Sequence, residues 1–192
     1  LPALGWSHEV LDDLSRFKAI VIGPGLGRDE GTVSEARRII AGAHIPMVID
    51  GDGLFAVAWG GEGARDIVRS RAAGTVLTPH DGEYTTLLGY APSHDRITSA
   101  RRLASDTNCV CLLKGTTTVV AEPSGEVLMV ANGDQRLATA GTGDVLAGII
   151  GALLAQGVEP FHAAASGAWI HGYAASLFTA HEGLIASDLV DL

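Results

Sequence analysis

The chain has 192 residues, 47% of them hydrophobic and 18% charged, with a formal net charge of −9. That is enough chain and apolar content for one compact domain with a sizeable core. The acidic balance and the lack of any Lys/Arg cluster exclude nucleic acid and an anionic membrane surface as partners, and the apolar runs fall short of the ~18 residues of a membrane span.

Leu1-Pro2-Ala3-Leu4-Gly5-Trp6 carries no signal-peptide pattern. Ser187 to Leu192 reads as the opening of another helix, so the chain is expected to be a fragment or a processed piece. Lys18–Ile22, Pro46–Asp50, Thr75–Thr78 and Cys109–Leu113 read as short, fully buried strands. Between them Gly31–Gly42, Leu54–Arg71, Tyr84–Leu88 and Ile97–Thr107 read as helices, the second interrupted by Gly60, Gly61 and Gly63. This alternation predicts a mostly parallel sheet with helices on both faces. Cys109 and Cys111 lie two apart on one strand, poorly placed to bridge. They read as buried thiols, with no sign of an oxidising compartment, and a cytoplasmic location is expected. Thr117–Ala121 and Val127–Val130 flank Pro123-Ser124-Gly125 as an edge hairpin. Two apolar helices follow, Thr142–Gln156 and Phe161–Ala180, the second anchored by Trp169, Tyr173 and Phe178. Trp169 and Tyr173 read as core, and His162 and His171 as packed or surface residues.

Polar residues gather where the strands end: Gly23-Pro24-Gly25-Leu26-Gly27, Asp50-Gly51-Asp52-Gly53, Thr78-Pro79-His80-Asp81-Gly82-Glu83 and Lys114-Gly115-Thr116-Thr117-Thr118. Ligands of open α/β sheets bind at the carboxyl ends of strands, so four such clusters converge on one rim. The glycine loop lacks the G-x-G-x-x-G spacing of a dinucleotide fingerprint; it reads equally as a plain turn or as backbone that approaches a ligand. Asp50 and Asp52 either hold Mg²⁺ or cap the next helix. A cis or rigid turn at Pro79 would present His80 to a substrate. Lys114, a cation ending an apolar strand, suits a phosphate or nucleotide contact. Ala138-Thr139-Ala140-Gly141-Thr142-Gly143-Asp144 opens an apolar helix. Its first N–H groups form an anion site, while Asp144 at the same mouth would repel a resting phosphate. That combination suits an acid that acts on a hydroxyl beside a phosphoryl group in transfer.

Together Val21–Gly27, Val48–Leu54, Leu77–Tyr84, Leu113–Thr118, Ala138–Gly157 and Ala186–Leu189 resemble, in order and spacing, the ADP/ATP-dependent NAD(P)H-hydrate dehydratases, the carbohydrate-kinase-like domain of the ribokinase-like superfamily. Gly51 and Gly53 depart from the alanines usual in that family. The resemblance implies a ribokinase-like three-layer α/β sandwich with a mostly parallel sheet, residues 1–192 forming a single domain that lacks the family's N-terminal segment. It implies ADP- or ATP-dependent dehydration of hydrated NADH or NADPH, through a phosphate ester of the ring hydroxyl. In this reading Asp144 is the catalytic base, and Gly141, Thr142 and Gly143 form the anion hole. Lys114, Gly115, Thr116, Thr117, Thr118 and Gly143 bind the nucleotide, with Mg²⁺ on its phosphates. Gly25 or Gly27, His80 and Asp144 contact the hydrated dinucleotide. The implied partners are a second copy or a complementary N-terminal segment, and a hydrate epimerase. A kinase of a small alcohol such as a vitamin precursor, and a non-catalytic nucleotide-binding subunit, are the alternatives.

Overall fold

The computed structural model of the chain describes residues 5–58, 64–179 and 182–190. Four short strands, β1 (Ile20–Ile22), β2 (Met47–Ile49), β3 (Thr75–Leu77) and β4 (Val110–Leu113), pair side by side in parallel. β5 (Thr118–Ala121) and β6 (Val127–Val130) then add an antiparallel hairpin, so the sheet order follows the chain from β1 to β6. The central strands β2 and β4 are apolar and buried at every position, because both faces of the sheet are covered there.

Strand alternation sorts the core into two halves. Met47, Ile49, Leu77, Cys111, Leu113, Val119 and Ala121 point into one core, and Val48, Val76, Val110, Leu112 and Val120 into the other. The first is covered by α1 (Trp6–Asp12), α2 (Glu30–Gly42), α3 (Asp52–Ala56), α4 (Ala64–Arg69), α5 (Asp81–Leu88) and α6 (Arg96–Thr107). The second is covered by α7 (Thr142–Ala155) and α8 (Pro160–Leu177). The three-layer α/β sandwich expected from the sequence is therefore present. No helix among the described residues is long and apolar enough to cross a membrane.

The helix starts follow local chemistry. Asp29 caps α2 by accepting from Thr32 N, and Asp95 caps α6 by accepting from Thr98 N. Arg71 ties α2 to β3 from inside: its guanidinium donates to Ala43 O at 2.8 Å, Ile45 O at 2.9 Å and Thr75 Oγ1 at 2.8 Å. Cys109 and Cys111 are buried free thiols.

Several expectations need correction. The helix read over Leu54–Arg71 is two short ones, α3 and α4; its glycine break falls outside the described residues. α1 was not anticipated, although Trp6 and Val10 sit one turn apart on it. The turn at Pro79 is rigid rather than cis, since no cis peptide occurs among the described residues. Trp169 and Tyr173 are not core: they are 53% and 48% exposed. Alanines and glycines fill the inner face of α8, including Ala163, Ala164, Gly167 and Ala168, so the helix packs close to the sheet and turns its bulk outward.

Gly23, which ends β1, illustrates how tightly the rim is built. Its φ is +123°, and a Cβ there would stand 1.8 Å from Asp50 O. Gly23→Ala combines a disfavoured backbone region with a backbone clash. Chemical denaturation is expected to show a loss of about 4 kcal/mol or more.

Candidate active site

The carboxyl ends of β1 to β4 form one rim, and the charged side chains there are already in contact. Lys114 follows β4, and its Nζ lies 2.9 Å from Asp50 Oδ1 at the end of β2 and 3.5 Å from Glu83 Oε2 on α5. The Asp50 side chain is only 3% exposed, so this is a nearly buried pair. The first turn of α7 rests on it: a Cβ on Gly143 would lie 3.5 Å from Lys114 Nζ and 3.8 Å from Asp50 Oδ2. Arg96 braces the loop from below, donating to Lys114 O at 2.7 Å and to Asp81 Oδ1 at 2.8 Å.

His80 caps α5. Its Nδ1 accepts from Gly82 N at 3.0 Å and Glu83 N at 3.2 Å, and its own N–H donates to Glu83 Oε2 at 2.9 Å. The cap uses the Nδ1 lone pair, so the ring N–H is on Nε2, which is left as a donor. The ring is 59% exposed at the rim.

The helix mouth at α7 is left open. Gly141 at the N-cap has φ +87° and gives no side-chain cap. The Thr142 hydroxyl is committed to Leu137 O at 2.6 Å and Thr139 O at 2.8 Å, and its N–H faces Thr139 O at 3.3 Å. The N–H groups of Gly141 and Gly143 have no acceptor among the described residues. Of the three expected anion-hole residues, two therefore offer free N–H groups at a helix N-terminus.

Two hollows meet at this turn. One, of about 450 Å³, is lined by Lys114, Gly115, Thr116, Thr118, Gly143 and His80, among others. The second, of about 430 Å³, is lined by Asp144 and Gly148 of α7 together with Val21, Gly23, Pro24 and Leu26. Gly143 and Asp144 are consecutive, yet each borders a different hollow. The exposed Asp144 carboxylate has no hydrogen bond or ion pair among the described residues.

The remaining expected residues fall less neatly. Thr117 lines neither hollow. Gly25 faces open space, and Gly27 N donates to Asp52 Oδ2 at 2.9 Å. Asp52 also accepts from Arg28 Nε at 2.6 Å, and that hydrogen bond holds its carboxyl below the usual carboxylate range. Asp50 and Asp52 are thus each engaged by a cation of the chain itself. No group of three or more His, Cys, Asp or Glu side chains able to hold a metal ion occurs among the described residues. The residues do not fit a protein-held Mg²⁺.

The sequence reading set His171 aside as a packed or surface residue and did not single out Arg96. His171 is 7% exposed, lines the larger hollow, and has no partner for Nε2. Burial pushes its pKa below the ordinary 6.5. The fold therefore binds fewer protons there than the unfolded chain, so its stability falls as pH drops through about 6.5 toward the depressed folded value. Urea denaturation at about pH 7.5 and about pH 5.5 should show a larger acid-side loss for the wild type than for His171→Gln.

Comparison with known proteins bears on this arrangement. The family model for NAD(P)H-hydrate dehydratase matches residues 3–192. The chain is 43% identical over 178 residues to the bifunctional NAD(P)H-hydrate repair enzyme Nnr of Salinibacter ruber, covering 91% of this chain and 32% of that one. It is 39% identical over 175 residues to the ADP-dependent (S)-NAD(P)H-hydrate dehydratase of Neisseria meningitidis, covering 88% of this chain and 58% of that one. The Bacillus subtilis ADP/ATP-dependent NAD(P)H-hydrate dehydratase, co-crystallized with ATP/Mg²⁺, superposes with a TM-score of 0.78 at 32% identity, covering 91% of this chain and 61% of that one. The chain spans about a third of the length of the bifunctional relatives it matches. With the open glycine mouth, the neighbouring acid and the rim lysine in place, the chain belongs to the NAD(P)H-hydrate dehydratase family.

Proposed function

We propose that this chain is the dehydratase part of an enzyme that repairs hydrated NADH or NADPH at the expense of ADP or ATP. The observation that carries the proposal is the division of labour within one helix turn, with Gly143 bordering one hollow and Asp144 the other. In this reading the nucleotide occupies the larger hollow, its terminal phosphoryl group over the N–H groups of Gly141 and Gly143. Lys114, Gly115, Thr116 and Thr118 line the same space, and Lys114 is held in place by Asp50 and Glu83. The hydrated nicotinamide ring enters beside Asp144, and the Nε2–H of His80 is a donor at the same rim. Any Mg²⁺ travels with the nucleotide phosphates, since the described residues offer no cage of their own.

The chemistry then balances in two steps. Asp144 takes the proton from the ring hydroxyl as its oxygen forms a bond to the terminal phosphorus of the nucleotide, and the bond to the nucleotide's bridging oxygen breaks. The ring carbon–oxygen bond next breaks, its electron pair leaving with phosphate. Loss of a proton from the adjacent carbon restores the double bond. Hydroxide is a poor leaving group and phosphate a good one, which is what the nucleotide is spent on.

The β1 edge of the sheet carries no further strand among the described residues, and Val21 on it is 38% exposed. We propose that polypeptide outside these 192 residues, in the same chain or in a partner, covers this edge and closes the pocket around Asp144. A hydrate epimerase, fused or separate, fits the bifunctional relatives, and the two buried free thiols fit a cytoplasmic setting. Product analysis tests the proposal against a small-alcohol kinase. Inorganic phosphate and reduced dinucleotide are expected from hydrated NADH, whereas a stable phosphate ester that accumulates would contradict it.

A further inference from the structure

His171 stands apart from the other residues that border the larger hollow. Its side chain is 7% exposed, and Nε2 is buried with no hydrogen-bond partner among the described residues. Buried polar atoms are nearly always paired, so an unpaired one beside a hollow is a place for a ligand. Packing fixes where the ring stands. Asn132 Nδ2 donates to Trp169 O at 2.9 Å, and a Cβ on Gly172 would lie 2.5 Å from Asn132 O. Residues on either side of His171 therefore pin α8 to the loop after β6. The ring is near enough to Thr142 to feel its backbone, and to Lys114 to feel its charge. Thr142 lies between Gly141 and Gly143, whose N–H groups are free among the described residues. The imidazole thus stands beside the open mouth of α7, where the phosphates are placed.

Charge gives a reason for a neutral ring at that spot. Lys114 Nζ is shared by Asp50 and Glu83, and Arg136 is paired with Asp134 at 2.6 Å. Asp144 borders the other hollow, His80 uses Nδ1 in its helix cap, and Asp188 accepts from Ile185 N at 2.9 Å. Glu159, at the N-cap of α8, is about 18 Å away along the helix. A terminal phosphate brings about −1.5 to −2 of charge. It enters a chain of net charge −9, beside cations that already serve carboxylates. A lysine or arginine buried as His171 is would be an uncompensated charge whenever the hollow is empty. An imidazole avoids that cost by staying neutral until an anion arrives. Burial holds the ring toward its neutral form; the Thr142 backbone opposes this and the Lys114 charge reinforces it.

We propose that His171 is a nucleotide-binding residue that is charged only when the hollow is filled, its ring taking a proton from solvent as Nε2–H donates to a phosphate oxygen. This role rests on the reading that the nucleotide occupies the larger hollow. It adds a cation to the site that the empty enzyme does not carry, and makes nucleotide affinity rise as pH falls.

The test is made on the complete enzyme, these 192 residues with the polypeptide proposed to cover the β1 edge, and reads binding rather than turnover. In the wild type the histidine ring C–H signals are followed by NMR against pH. With ADP added, the His171 signal is expected to titrate at higher pH, whereas adenosine, which lacks the phosphates, should not move it. In calorimetric titrations His171→Gln should bind ADP about 10-fold or more weakly than wild type at about pH 6. At about pH 8, where the wild-type ring is neutral as well, the two should agree within about 3-fold. His80→Asn, which keeps a capping side chain, should retain the pH dependence of the wild type. A His171 signal that ignores ADP, or that adenosine moves equally, would overturn the proposal. So would an affinity loss in His171→Gln that is the same at both pH values, or a pH dependence that disappears with His80→Asn instead. Hydrated NADH restored by an enzyme whose His171 ignores ADP would overturn this role alone. A His171 that responds to ADP in an enzyme that restores no NADH would overturn the dehydratase reading alone.

Discussion

Asp144→Asn will lower the turnover of hydrated NADH by about 10²–10⁴-fold, while the dissociation constants of ADP and ATP stay within a few-fold of wild type. The reason is where the side chain stands. Asp144 borders the hollow against β1, not the one lined by Lys114, Thr116 and Gly143. Its carboxylate makes no hydrogen bond or ion pair among the described residues, so the amide removes a proton acceptor without breaking structure. Backbone geometry at the mouth of α7 depends on Gly141 and on the Thr142 hydroxyl, neither of which the substitution touches. Single-turnover kinetics beside calorimetric titration of ADP separate the two quantities. Near-normal turnover, or nucleotide affinity lost in parallel with turnover, would remove Asp144 from the role of base.

Lys114→Ala will damage both stability and nucleotide binding, and a second substitution separates the two. The lysine neutralises Asp50, whose side chain is only 3% exposed, and also approaches Glu83. Removing one member of a buried pair leaves the other uncompensated, which costs roughly 3–5 kcal/mol. Adding Asp50→Asn to Lys114→Ala takes away the stranded charge and should recover most of that loss. It should not recover affinity for ADP or ATP, because the cation beside Gly143 is still missing. Denaturant midpoints and nucleotide titrations on the two variants measure each effect. Full recovery of binding in the double variant would make Lys114 a structural residue only.

Much of this was legible in the residues. β2 and β4 are apolar at every position, and only a sheet covered on both faces accommodates that. The four polar clusters follow the strands directly, so a parallel sheet had to bring them to one rim. Gly141 to Asp144 announced both an open helix mouth and an acid beside it. Partner choice across the rim was harder to read. Nothing local says that Asp50 meets Lys114 across 64 positions of chain while Asp52, two residues on, is held by Arg28 and Gly27 N. The pairings depend on strand register and loop path. His171 sits in a run of small apolar residues, and its place on the hollow depends on how α8 crosses the sheet. Trp169 and Tyr173 misled because bulky apolar residues usually point inward; the alanines and glycines of α8 had already filled that side.

The most direct measurement follows the reduced-nicotinamide absorbance of hydrated NADH with ADP or ATP present, with inorganic phosphate assayed in parallel. These 192 residues are assayed together with the polypeptide proposed to cover the β1 edge. The account predicts that absorbance returns only when nucleotide is added, with one phosphate released per NADH restored, and that Asp144→Asn slows both by about 10²–10⁴-fold. Nucleotide bound without recovery of absorbance, or phosphate released without it, would contradict the dehydratase reading.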